Sequence, residues 1–274
     1  MTSPSAPPRS KPPPSTPPST PLADLWSEAW MLALAACGAF ALIDAWAPPQ
    51  DLPWKPLDLR LPMGAATAAK IRALDLPPTA TAAEVETGTT RCITLLRQAG
   101  VAVERAPDRD DGGFCVVQGA VRLSGGDLTP LDPSGVAMRC PMAARFLLWD
   151  REVVRPAARE IMGAEAVRID NLGTYACRRV YGSADTAARP SQHARANALD
   201  VAGVGLADGR RATLAADWDG QGPSGAAGAA FLRRLRDGGC RLFGNVLTPD
   251  YNAAHRDHFH LDAAGRGVCA RRRN

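Results

Sequence analysis

Ser191-Gln192-His193-Ala194-Arg195-Ala196-Asn197-Ala198-Leu199-Asp200 and His255-Arg256-Asp257-His258-Phe259-His260-Leu261-Asp262 decide the reading of this chain. All four of its histidines lie in these two stretches. Histidine is the commonest side-chain metal ligand, and it titrates near neutrality. A chain that uses it nowhere else, each time near aspartate, points to one site assembled from two segments. His193 and Asp200 stand seven apart, so a loop or helical turn running into a strand can bring both to one ion. His258 and His260 are two apart, and alternate side chains of a strand share a face. One can then hold a metal while the other faces a substrate. A His-x-His pair alone is more often surface decoration; the companion motif in a histidine-poor chain reverses that reading.

Ser-x-His-x6-Asp followed by His-x-His resembles the zinc peptidase superfamily of lysostaphin-type, D-Ala-D-Ala-cleaving and hedgehog-like proteins. The longer text is more similar still to one branch, the bacterial extensin-like C-terminal domain family. Tyr175-Ala176-Cys177-Arg178, Ser191 to Asp200, and Pro249-Asp250-Tyr251-Asn252-Ala253-Ala254-His255 through Asp262 carry the resemblance, which covers about residues 88 to 270. The superfamily usually has glycine at the position of Ala196. By this resemblance the metal ligands are His193, Asp200 and His260. Zinc is the expected cofactor, because two imidazoles, one carboxylate and an open position suit it. Such an ion activates water for attack on an amide carbonyl.

The same resemblance names the groups around the metal. A general base is needed, and Asp257 and His258 compete for the role. Asp257 stands three before His260, as the catalytic carboxylate does in the D-Ala-D-Ala-cleaving relatives. His258 lies two before it, on the ligand's face of a strand, like the helper histidine of other members. Arg178 resembles the superfamily arginine upstream of the first ligand and would offer a donor to an oxyanion. His255 is expected to hydrogen-bond behind the ligands, and Ser191 to orient the loop through the backbone. Tyr251 and Asn252 are candidates to line the cleft, and Trp218 is read as core.

The formal charge of the 274 residues is +4, carried almost wholly by arginine, with lysine only at 11, 55 and 70. That is too little to argue for nucleic acid, and the run Arg271-Arg272-Arg273 reads as a solvated tail. Of seven cysteines, Cys37 lies in an apolar segment. The other six, Cys92, Cys115, Cys140, Cys177, Cys240 and Cys269, fit three disulfides in an oxidising compartment. No Cys-x2-Cys pair is present to make a thiolate zinc site. About fifteen pairings are possible. Cys240 with Cys269 is the expected one, because the C-terminal segment otherwise has little to hold it.

Residues 1 to 21 contain nine prolines and read as a disordered or polyproline tail. Residues 22 to 47 read as a single transmembrane anchor. Their uncharged run Ala29 to Ile43 is 15 residues, extended by Leu22, Leu25 and Trp46, with Trp26, Trp30 and Trp46 near the ends. A span needs about 20 residues, so the flanking Glu28 and Asp44 would lie among headgroups. A lipoprotein site at Leu34-Ala35-Ala36-Cys37 ranks second, and a cleaved signal is a further rival. Flanking positive charge is balanced; the cysteines instead put the following domain outside the cytoplasm.

Residues 48 to 84, rich in Pro and Ala, read as a linker, some of which packs on the domain through alternating Leu57, Leu59 and Leu61. The domain, 85 to 274, opens with a helix near 82 to 99 carrying Val85, Cys92, Leu95 and Leu96 on one face and stopping at Gly100. Strands are expected at 101–104, 114–117, 120–123, 136–139 and 166–170, with a turn at Asn171-Leu172-Gly173. Pro141 opens a helix that Pro156 kinks or interrupts. A helix at about 225 to 237 ends at Gly238-Gly239. The expected fold is α+β, an antiparallel sheet with flanking helices, zinc-peptidase-like and preceded by one transmembrane helix.

The functional expectation is zinc-dependent hydrolysis of amide bonds in peptidoglycan peptides, of D-amino-acid carboxypeptidase or endopeptidase type. The partners are a peptidoglycan peptide and, through the N-terminal helix, a membrane, with no nucleic acid. The protein would be single-pass in a bacterial inner membrane with its domain in the periplasm. The alternative is a non-catalytic wall-binding or scaffolding module with a structural or vestigial metal site.

Overall fold

The computed structural model describes residues 22–77, 79–180, 189–265 and 267–270. The proline-rich tail and the arginine run at 271–273 lie outside the described residues. Two compact units are present, dividing at Ala47 and Pro48. The first contains α1 (Leu22–Trp46), whose stretch Glu28–Trp46 is 19 residues long and apolar enough to cross a membrane or to act as a signal sequence. At 1.5 Å per residue it spans about 28 Å, close to the hydrocarbon thickness of a bilayer. Trp26, Trp30 and Trp46 are all exposed along it.

The second unit starts at Pro48, which corrects the reading of 48 to 84 as a linker. Leu57, Leu59, Ile71 and Leu74 are buried in the main core, Ile71 from the short helix α2 (Thr67–Arg72). Polar contacts also fix this segment: Asp75 accepts two hydrogen bonds from the buried Arg145 guanidinium, at 3.0 and 2.6 Å. The alternation of leucines already points to Leu57 and Leu59; Ile71 and Leu74 have no such signal, because this part of the segment lies on the core without forming a long helix or a strand.

Next comes α3 (Ala82–Gln98). Thr81 caps it in a reciprocal box with Glu84, satisfying two N–H groups at the first turn. Val85, Cys92, Ile93 and Leu96 form its buried face. Beyond Gly100 run β1 (Val101–Arg105), β2 (Arg109–Asp110), β3 (Val116–Val117), β4 (Ala120–Gly126), β5 (Leu131–Asp132) and β6 (Ala137–Arg139). Strands β1, β4 and β6 make a small antiparallel sheet, and β2 pairs with β3. Phe114 and Cys115, expected in a strand, precede β3 instead.

The helical run from 140 to 162 begins with α4 (Cys140–Trp149), every residue of which is buried. It continues through wide π turns at Asp150–Val154 and Ala158–Met162 on either side of α5 (Arg155–Ala157). Pro156 therefore neither stops nor breaks the run. Its missing N–H falls where the hydrogen bonding widens from i−4 to i−5.

A seven-stranded sheet supports the site. Its members beyond β5 are β7 (Ala166–Gly173), β8 (Ala198–Leu206), β9 (Arg211–Thr213), β10 (Asn245–Leu247), β11 (Phe259–Asp262) and β12 (Val268–Cys269). The order is β12-β10-β11-β8-β7-β5, with β9 also on β8. The interior pairings are antiparallel, and the two outermost, β10–β12 and β5–β7, are parallel. Asn171 to Gly173, expected to turn, instead continue β7 through irregular register against β8. After the short α6 (Leu214–Asp217), α7 (Gly225–Gly239) runs through both glycines expected to stop it. A Cβ on Gly238 would collide with the Val153 side chain, so that glycine serves close helix packing rather than a cap.

Three disulfides tie the unit together: Cys92–Cys140, Cys115–Cys177 and, as expected, Cys240–Cys269. They are compatible with an extracytoplasmic domain. Thiol labelling of the denatured, unreduced protein is accordingly expected to modify Cys37 alone, the cysteine left free. Several labelled thiols in material purified from its native compartment would place the domain in a reducing compartment.

Candidate metal centre

The two histidine-bearing stretches meet on the central sheet. Ser191 Oγ accepts from the His193 N–H at 3.3 Å and caps a single 3₁₀ turn, Gln192–Arg195. The chain then reverses at Ala196, whose φ of +48° is left-handed. This is the one positive φ outside glycine among the described residues, a conformation that glycine adopts at less cost than alanine. Strand β8 follows at once. Its pairing with β11 sets Asp200 directly opposite His260. Leu199, Val201, Phe259 and Leu261 alternate onto the core side, so Asp200 and His260 are turned to the other face.

Three side-chain donors converge there. His193 Nε2 lies 3.1 Å from an Asp200 oxygen and 3.1 Å from His260 Nδ1. His260 Nδ1 lies 3.0 Å from the other Asp200 oxygen. The far ring nitrogens are engaged elsewhere. His193 Nδ1 donates to the Thr174 carbonyl at 3.2 Å, and His260 Nε2 to Asp262 at 2.9 Å. With those protons outward, the neutral imidazoles would turn His193 Nε2 and His260 Nδ1 inward as lone pairs. Without an ion, a proton on His260 Nδ1 bridges to Asp200; an ion that displaced it would meet two imidazole lone pairs and a carboxylate at one point.

The separations suit zinc. Bonds of about 2.0–2.1 Å in a tetrahedron put neighbouring donors about 3.3 Å apart. His193, Asp200 and His260 form a three-membered group able to hold an ion. Charge in the cluster responds to the same arrangement. Burial pushes the His260 pKa down, but the Asp200 and Asp262 carboxylates outweigh it and raise it to about 9. Burial pushes the Asp200 carboxyl up, and His193 and His260 more than reverse this, holding it well below the usual carboxylate range.

Asp200 and His260, but not the buried His193, line a cleft of about 510 Å³, with Arg178, Tyr251, Asn252, His255 and His258 among its other walls. His258 points into it, its Nε2 3.7 Å from Asp200, while Asp257 grips its Nδ1 at 2.8 Å. Asp257 itself does not line the cleft. The two competing candidates for the base are thus stacked in series, with His258 inward and Asp257 behind it. His255, expected behind the ligands, lines the cleft directly, with Nδ1 2.7 Å from Asn252. Burial, then the His260 and His258 charges, lower the His255 pKa to about 4, so it is neutral at pH 7. Trp218 stays in the core, edge-on to Phe259 and bonded through Nε1 to Asp250 at 3.0 Å.

Arg178 reaches the cleft because its segment is fastened to the ligand loop. Ala176 N–H donates to the His193 carbonyl at 3.2 Å and Ser191 N–H to the Arg178 carbonyl at 3.0 Å. The Cys115–Cys177 disulfide and a 2.6 Å bond from Tyr175 to Asp111 anchor the same segment from outside. The motifs around Tyr175 to Arg178, Ser191 to Asp200 and Pro249 to Asp262 therefore build one place. Residues 90–271 match the family described as extensin-like protein C-terminus. The chain belongs to that family. No curated protein and no solved structure matches it.

Within this extensin-like domain, three groups that hold the candidate ligands are not among the site residues expected from the sequence. Asp262 closes the second histidine stretch, and its spacing of two from His260 already places both on one strand face. Asn245, opposite Asp262 on β10, donates to its two oxygens at 2.9 and 3.2 Å. Only strand pairing reveals that contact. The Thr174 carbonyl carries no side-chain signal at all.

Proposed function

We propose that this extensin-like protein is a zinc-dependent hydrolase of amide bonds in peptidoglycan peptides, belonging to the lysostaphin and D-Ala-D-Ala-cleaving superfamily. The observation that carries this is the convergence of His193 Nε2, Asp200 and His260 Nδ1, with Asp200 and His260 opening onto the cleft. His193, Asp200 and His260 would hold the zinc, which would supply Lewis-acid activation of water and of the scissile carbonyl. His258, oriented by Asp257, accepts the proton of the attacking water and returns it to the leaving amine. The Arg178 guanidinium offers hydrogen bonds to the oxyanion that develops on the carbonyl. Asp262 and the Thr174 carbonyl hold the two ligand imidazoles in the required tautomers. The apolar helix α1 and the disulfides support a single-pass protein of a bacterial inner membrane with its domain in the periplasm.

Digestion of purified muropeptides, with and without chelator and read by mass spectrometry, tests this. Chelator-sensitive loss of a D-amino acid or of a cross-link is expected. Stoichiometric zinc with no cleavage of any muropeptide would make the protein a wall-binding module instead. The roles within the cleft separate in variants. His258→Ala is expected to keep zinc and lose about 10²–10⁴-fold in kcat, the usual worth of a general base. Asp257→Ala also keeps zinc but loses less, since it acts through His258. The reverse order would move the base to Asp257.

A further inference from the structure

A second, separate cavity of about 250 Å³ lies on the other side of the ligand loop, lined by Val85, Phe114, Val116, Gln118, Arg139 and Arg195 among others. Two arginines therefore line one small space, close enough for the Arg195 charge to act on Arg139. No Asp or Glu lines it among the described residues. Neither Arg139 nor Arg195 has an ion pair or a side-chain hydrogen bond among those residues. Asp75, the acid that acts on Arg139 from nearby, has both oxygens committed to Arg145. Arg139 also occupies the N-cap of α4, whose first turn carries no acidic residue. A cation at the positive end of a helix, beside a second cation, is unfavourable, and an anion between them would relieve it. Burial, and the Arg195 charge with it, push the Arg139 pKa down against the pull of Asp75. A third guanidinium, Arg179, stacks over the Phe114 ring at 4.8 Å.

We propose that the Arg139–Arg195 cavity is an anion-binding site, distinct from the metal cleft, that takes a carboxylate or phosphate group. The guanidinium fork fits either oxyanion through paired N–H donors. Gln118 adds an amide, and Val85, Val116 and Phe114 supply an apolar wall for the carbon skeleton bearing the charge. The site is coupled mechanically to the metal loop. Arg195 ends the 3₁₀ turn that carries His193, and the Arg139 N–H donates to the Ala196 carbonyl at 2.8 Å. An anion bridging the two arginines would clamp that loop against α4. The assignment does not depend on the hydrolase reading.

The test is isothermal titration of the full-length protein in detergent, with chelator present so that no metal at His193, Asp200 and His260 can hold the probe. The probes are inorganic phosphate and succinate at constant ionic strength. Saturable binding of at least one is expected, and the tighter of the two identifies a phosphoryl or a carboxylate ligand. Arg195→Gln and Arg139→Gln should each weaken it roughly tenfold to a hundredfold, the worth of hydrogen bonds to a charged group. Arg178→Gln, in the metal cleft, should leave the affinity unchanged. If Arg139→Gln does not fold, having lost its place at the start of α4, Arg195→Gln decides alone. Absence of binding by both probes, or binding that survives Arg195→Gln and disappears in Arg178→Gln, would overturn the assignment.

Discussion

His260→Ala is expected to lose zinc and muropeptide hydrolysis together. Removing this side chain takes away one of three protein donors and leaves His193 and Asp200, a pair too few to hold zinc tightly. The loss should exceed the roughly 10–100-fold in metal affinity that follows removal of an outer hydrogen-bond partner. Asp262→Asn supplies that smaller comparison, because it removes no proposed ligand and weakens the group that fixes the His260 tautomer at 2.9 Å, along with the Asn245 and Ala264 bonds to the same carboxylate. Metal content by elemental analysis, competition with a zinc-binding dye and hydrolysis should fall in the order wild type, Asp262→Asn, His260→Ala. A thermal melt of each variant separates metal loss from unfolding. Zinc retained in His260→Ala but lost from His258→Ala would mean that the two histidines of the motif have exchanged roles.

A chain that starts at residue 85 is expected to be far less stable than one that starts at Pro48. The shorter chain leaves the pockets of Leu57, Leu59, Ile71 and Leu74 open to water. Each buried aliphatic side chain is worth about 1.5–3 kcal/mol, so four are worth about 6–12 kcal/mol. That compares with a total stability of about 5–15 kcal/mol for a typical domain. Truncation also removes Asp75 and strands the Arg145 guanidinium, whose side chain is 1% exposed. The single substitution Asp75→Ala isolates this part. Breaking a buried pair costs about 3–5 kcal/mol. The lower end applies here, because the Asp75 side chain is 30% exposed. Urea unfolding of the two lengths and of Asp75→Ala measures both effects. Equal midpoints for the two lengths would show that residues 48 to 84 are a linker after all.

Much of the site is legible in the amino-acid sequence. Four histidines in two clusters, with spacings of seven and two, name the residues that meet, because ligand chemistry needs specific side chains and strand periodicity needs a fixed step. Cysteine count implies the oxidised framework, and the motifs carry the family resemblance. The capped helix at 82–98 and the strands at 101–105 and 120–126 follow from local propensity and glycine punctuation. Gly238 and Pro156 mislead for one reason. Their usual meanings, stop and break, are local, whereas here Gly238 is required by Val153 on another helix and Pro156 is absorbed by widened turns.

Tertiary structure alone decided the rest. That Asp200 faces His260 is a matter of strand register between segments far apart in the chain, and no local pattern encodes it. The same register sets Asn245 behind Asp262, and the pairing of Ala176 and Arg178 with His193 and Ser191 brings the Thr174 carbonyl to His193. The order of His258 and Asp257 is likewise open in the sequence, since neighbouring residues of an extended strand point to opposite sides and either could have faced the cleft. Apart from the alternating Leu57, Leu59 and Leu61, residues 48 to 77 look featureless because burial without regular secondary structure leaves no period to read. Composition and spacing fix which groups a chain can offer to an ion. Which lone pairs turn inward, and which partners hold them there, depends on non-local pairing whose energy comes from the assembled core.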